Sequence, residues 1–101
     1  MKEWTREDIE QNLSNNELTY VYLYTPMCGT CQMAKKMLEV VDELLPNLDI
    51  GQCNLNYLPE KAREWEIESV PCLLTFSQGQ MTEKIYAFKS VDYLYSKLKA
   101  N

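Results

Sequence analysis

Histidine is absent from this chain of 101 residues. That removes the usual general base at neutral pH, the usual activator of a nucleophile and the commonest transition-metal ligand. Long apolar runs are missing too. No stretch approaches the roughly 20 residues of a membrane-spanning helix, so no membrane association is expected. The opening Met1-Lys2-Glu3-Trp4-Thr5-Arg6-Glu7-Asp8 carries no apolar segment, and no secretory signal is expected there. Basic residues are outnumbered, with Lys+Arg 10 against Asp+Glu 15 and a formal net charge of -5. Nucleic acid, which attracts basic patches, is therefore not an expected partner. The four cysteines are too few and too unevenly spaced to staple a small secreted domain. These absences predict a cytoplasmic protein whose paired cysteines serve redox or metal chemistry.

Hydrophobic residues at 46% and charged residues at 25% are the balance of an ordinary globular chain. With no repeat, low-complexity tract or Pro/Gly/Ser-rich linker, residues 1–101 are expected to form one domain around one core. Thr5 followed by Asp8 predicts a capped helix with Ile9 and Leu13 inward and Trp4 stapled to Ile9, ending at Asn15-Asn16. Leu18 to Thr25 is nearly all aromatic or β-branched and reads as a strand buried on both faces. Tyr20, Tyr22 and Tyr24 share one face of it.

A long helix is predicted from about Thr30 to Leu45, with Met33, Ala34, Met37, Leu38, Val41 and Leu44 on its apolar face. Asp49 to Leu55 reads as a strand; Pro59 sits where a helix can begin, and Glu60 to Glu66 reads as a short helix with Ala62 and Trp65 inward. A hairpin is expected from Leu73–Phe76 and Lys84–Phe88 around Gln78-Gly79. Ser90 caps a last helix with Val91, Leu94, Tyr95 and Leu98 inward. Alternating strands and helices that end in a hairpin imply an α/β layered fold on a mixed sheet.

Cys28-Gly29-Thr30-Cys31 lies where the buried strand ends and the long helix begins. A helix N-terminus presents unpaired N–H groups and partial positive charge, and both favour a thiolate. An ordinary thiol, with pKa about 8.5, is only roughly 3% ionised at neutral pH, so this placement raises reactivity. Cys28 at the helix tip is placed to attack, and Cys31, one turn inside, to resolve. Spacing alone also admits a metal- or iron–sulfur-binding module built on the same pair.

The string Tyr24-Thr25-Pro26-Met27-Cys28-Gly29-Thr30-Cys31, the later Val70-Pro71 before a Leu-rich strand, Gly79 and the closing helix resemble the thioredoxin family. Small bacterial thioredoxin-like proteins carry similar strings. The resemblance implies a thioredoxin fold: a central mixed sheet of four or five strands flanked by helices on both faces. It implies disulfide reduction in protein substrates through a Cys28/Cys31 couple, contributing to cell redox homeostasis, with no organic cofactor and no metal. Electrons would come from a thioredoxin-reductase-like flavoenzyme or a low-molecular-weight thiol. The resemblance also makes Val70-Pro71 a cis peptide against the cysteines, where Met27, Gly29, Thr30, Val70 and Pro71 meet the substrate. A monomer is expected.

The chain departs from the family at several positions. Met27 stands where Trp is usual and Thr30 where Pro is usual, which predicts a less reducing couple. Tyr22 aligns with the family's buried Asp and Gln52 with its Lys partner, leaving Cys31 to lose its proton to water or a nearby carboxylate. Cys53 is expected to be a small buried hydrophobe, and Cys72, beside Pro71, is the candidate accessory thiol.

Overall fold

The most apolar segment, Leu18–Tyr24, becomes β2, the middle strand of a five-stranded sheet in the order β1-β3-β2-β4-β5. The computed structural model describes residues 1–101. Along the chain run β1 (Lys2–Glu3), α1 (Arg6–Asn15), β2, α2 (Gly29–Leu44), β3 (Ile50–Asn54), a single 3-10 turn (Leu55–Tyr57) and α3 (Pro59–Glu64). They are followed by β4 (Cys72–Ser77), β5 (Gln80–Ile85) and α4 (Val91–Lys99). β1, β3 and β2 are parallel, whereas β4 and β5 run antiparallel to them. The mixed sheet expected from the sequence is the one observed.

Side chains alternate across β2 and divide the core in two. Tyr20 and Tyr22 join Ala34, Leu38 and Val41 of α2 with Leu94 and Leu98 of α4 on one face. Val21 and Leu23 join Trp4, Ile9 of α1, Leu58 and Trp65 on the other. Because β2 is covered on both faces, its residues 19–23 are fully buried. The caps behave as their sequences require. Thr5 Oγ1 accepts the Asp8 N–H while the Asp8 carboxylate accepts the Thr5 N–H, a closed capping box. Ser90 Oγ accepts the Tyr93 N–H and opens α4.

Gly51 of β3 lies beneath Trp4. A Cβ built at Gly51 would fall inside the Trp4 indole ring, so the glycine is what lets that ring seat on the sheet. The edge strand β1 holds Trp4 in place, with the Trp4 N–H donating to Gln52 O at 2.7 Å.

Three expectations need correction. The second hairpin strand is Gln80–Ile85 rather than Lys84–Phe88, because the turn at Gln78-Gly79 returns the chain to the sheet at once. Tyr86 to Phe88 leave the sheet as loop, although Phe88 remains buried against Tyr22. On α2, Met33 is 64% exposed and Leu44 is also exposed; only the Ala34, Leu38 and Val41 stripe and part of Met37 meet the core.

Candidate active site

β2 delivers the chain at its C-terminal end to Thr25-Pro26-Met27, and Cys28 then caps α2. This cap has a sulfur where serine or aspartate is usual. Cys28 Sγ accepts the backbone N–H of Cys31 at 3.1 Å, and the Thr30 hydroxyl lies 3.4 Å from the same sulfur. The first turn of α2 carries no acidic side chain to oppose a negative sulfur. Cys28 is half-buried and Cys31 is buried. Their Cα atoms are 5.2 Å apart and the two sulfurs form a disulfide. Such a Cα separation falls in the ordinary range for a bridge.

Cys31 is anchored from below, where Tyr22 Oη donates to its carbonyl oxygen at 2.6 Å. Burial pushes the Tyr22 hydroxyl up to about 12. Tyr22 is therefore a packing and anchoring residue, as its aromatic neighbours suggest: Tyr24 stacks at 6.0 Å and Phe88 meets it edge-on at 6.0 Å. Tyr22 and Gln52 are direct partners in the β2–β3 register, as the alignment of both with a buried pair anticipates.

Among the other residues named from sequence, Met27 is 97% exposed and Gly29 and Thr30 are exposed beside Cys28. A Cβ at Gly29 would meet nothing within 4 Å, which leaves open approach over the motif. Val70-Pro71 is a cis peptide. Leu23 pairs with Cys72, so Val70 and Pro71 flank the end of β2 from which the cysteine turn departs. The contact between Thr30 and Cys28 was not legible, since it depends on a side-chain rotamer.

Cys53 and Cys72 do not join this group. Both pair in register with Leu23, and all three side chains lie in the α1/α3 face of the core, behind the sheet from α2. Cys53 is the small buried hydrophobe expected. Cys72 adjoins Pro71 in sequence but is fully buried, and no third thiolate reaches the Cys28/Cys31 pair. No three His, Cys, Asp or Glu side chains are grouped to hold a metal ion.

Burial pushes both free thiols up to about 11. It also raises Tyr20, Tyr22 and Tyr24. Groups held neutral in this way stabilise the fold below their unfolded values, and that contribution is lost as pH climbs through the folded values. Stability is expected to be level to about pH 9. It should then fall by on the order of 2 kcal/mol for each of the two thiols by about pH 11, read as a declining urea midpoint. A midpoint unchanged over that interval refutes it.

Two cysteines that join at the tip of a helix, on a mixed sheet covered on both faces, define the class: a thiol–disulfide oxidoreductase. The chain belongs to the thioredoxin family, whose family model, Thioredoxin, matches residues 1–100. It is 48% identical over 99 residues to the thioredoxin-like protein YusE of Bacillus subtilis, covering 98% of this chain and 92% of that protein. Thioredoxin-1 of Saccharomyces cerevisiae is 27% identical over 81 residues, 80% of this chain and 79% of its own. Among solved structures, oxidised mitochondrial thioredoxin 3 of Saccharomyces cerevisiae matches with a TM-score of 0.86 at 20% identity, covering 100% of this chain and 95% of that one. That last likeness speaks for the fold. No helix here is long and apolar enough to cross a membrane.

Proposed function

We propose that the chain is a protein disulfide reductase in which Cys28 is the nucleophile and Cys31 the resolving thiol. The observation that carries this reading is the position of Cys28 Sγ as the cap of α2, where the Cys31 N–H meets it at 3.1 Å. A thiolate at that point gains a hydrogen bond and the favourable end of the helix dipole. Cys28 attacks one sulfur of the substrate disulfide, and the other leaves as a thiolate that takes up a proton. Cys31 then loses its proton and attacks the Cys28 sulfur of the mixed disulfide, releasing the second substrate thiol. The substrate gains two electrons and the Cys28–Cys31 bond holds their loss.

The exposed Met27, Gly29 and Thr30 supply the approach surface, with Val70 and Pro71 beside the end of β2. The Val70 backbone can pair with an extended substrate segment in strand fashion. Residues 1–101 act as one unit, a cytoplasmic monomer in this reading, serving cell redox homeostasis. Electrons return from a flavoenzyme like thioredoxin reductase or from a low-molecular-weight thiol.

Insulin reduction with dithiothreitol as donor tests the activity, and iodoacetamide alkylation at pH 7 tests the sulfur. Cys28 should alkylate roughly tenfold faster than free cysteine, and Cys28→Ser should abolish insulin reduction. Alkylation at the rate of free cysteine, or insulin reduction surviving Cys28→Ser, refutes the assignment. Equilibration with glutathione buffers then tests whether Thr30 makes the couple less reducing.

A further inference from the structure

Resolution by Cys31 makes a demand that the groups described so far do not meet. The buried thiol must give up a proton as it attacks, and the chain has no histidine to receive it. Tyr22 lies beneath it, but that hydroxyl is spent on the Cys31 carbonyl.

A cavity of about 210 Å³ opens onto Cys31, lined also by Tyr22, Tyr24, Gln32, Lys35 and Gln52. Polar side chains, Gln32, Lys35 and Gln52 among them, stand in its wall, and it is roomy enough for water, whose share of liquid volume is about 30 Å³. Two of its lining side chains lead to one carboxylate. Tyr24 Oη donates to Glu3 Oε2 at 2.6 Å and Gln52 Nε2 donates to Glu3 Oε1 at 3.0 Å. The sheet brings them together, since Glu3 of β1 pairs with Gln52 of β3 and Gln52 pairs with Tyr22 of β2. Gln52 is only 9% exposed, and its Oε1 is buried with no hydrogen-bond partner among the protein atoms. A buried acceptor of this kind is ordinarily satisfied, often by water.

We propose that Glu3, on the edge strand, receives the Cys31 proton through Tyr24 and a water in this cavity, with Gln52 holding both the carboxylate and the water. The inference rests on the nucleophile and resolving roles given above. The water takes the proton of Cys31 S–H and passes one of its own to Tyr24 Oη, which hands its hydroxyl proton to Glu3 Oε2. A thiol and a carboxylate become a thiolate and a carboxylic acid, and no electron moves. Glu3 is exposed at the sheet edge and returns the proton to solvent. Glu3 and Gln52 are positioning residues, since neither touches the sulfur.

Groups that bear on the relay from other elements are Lys35 of α2, Tyr22 of β2, Cys53 of β3 and Tyr57 of the 3-10 turn. Tyr22 and Cys53 are held above their ordinary values by burial, as is Tyr24 itself. They stay neutral where the reaction runs.

The test is stopped-flow reaction of the fully reduced protein with stoichiometric dithiobis(nitrobenzoate), which releases one chromophore when Cys28 attacks and a second when Cys31 resolves. In Glu3→Gln and in Tyr24→Phe the first phase should match the parent. The second should slow roughly tenfold at pH 7, less than the 10²–10⁴ common for general bases because a thiol also ionises unaided. The deficit should close as pH rises and hydroxide takes over, and combining the two changes should add nothing further. A second phase equal to the parent's at every pH overturns the relay. So does a second phase slowed equally at every pH, which marks a loosened β1. A first phase no faster than free cysteine strikes the nucleophile assignment itself, a result distinct from either.

Discussion

Replacing Cys31 by Ser is expected to convert the protein from a catalyst into a trap. The first displacement needs only Cys28, so the variant should react once with an insulin or small-molecule disulfide and stop as a mixed disulfide. Multiple turnover should fall by roughly 10³-fold or more, because covalent intermediates without their second partner do not break down. Non-reducing electrophoresis and intact mass should show the adduct, and dithiothreitol should release it. Folding should survive, since the hydroxyl takes the sulfur's place at a cost of about 1 kcal/mol. Cys72→Ser is the contrasting variant and should turn over normally, because that thiol lies behind the sheet. Release of the second substrate thiol by reduced Cys31→Ser with no external thiol present would sink the pair mechanism.

The largest stability effect is expected at a residue with no side chain. Gly51→Ala places a methyl group where the Trp4 indole sits, so either the ring or β3 must move. Overpacking of this kind costs about 1–3 kcal/mol, and the upper part of that range applies because the obstructing group is a rigid bicycle rather than a flexible chain tip. Urea midpoints and the near-ultraviolet signal of tryptophan read it directly. Coupling the change to Trp4→Leu should recover part of the loss, giving a double variant more stable than the sum of the singles. Trp4→Leu alone is destabilising, since that ring is buried against Ile9 and Leu23. A Gly51→Ala protein within 0.5 kcal/mol of the parent, roughly the spread of neutral substitutions, would show that the ring is not confined by the glycine.

Much of this architecture could be read from short-range signals. Thr5 with Asp8, and Ser90 before Val91, announce their helices because capping is a contact between residues three apart. The Leu18–Tyr24 strand declares itself because burial on both faces removes every polar residue but threonine. Strand β5 was misplaced for the opposite reason. An edge strand with alternating polar residues, Gln80, Thr82 and Lys84, carries no apolar run, whereas the apolar Tyr86 to Phe88 behind it is a loop packed on the core. The exposure of Met33 and Leu44 was hidden because helical spacing gives the direction of a stripe but not how wide a stripe the neighbours cover. At the site, Cys28 and Cys31 could be read at once. The place of Glu3 beside the Gln52–Tyr22 pair could not, because it exists only once the parallel pairing of β1 with β3 brings residues 49 positions apart into contact.

The separation of the four sulfurs by the sheet has a bearing on how the molecule can fail. Cys53 and Cys72 face the α1/α3 layer and the motif faces the other way, so an oxidant reaching the folded chain finds a single place to deposit its equivalents. Mispaired bridges would require the central strand to come apart first. The protein is in this sense a one-slot store, either full or empty, and partial scrambling is a property of its unfolded chain alone.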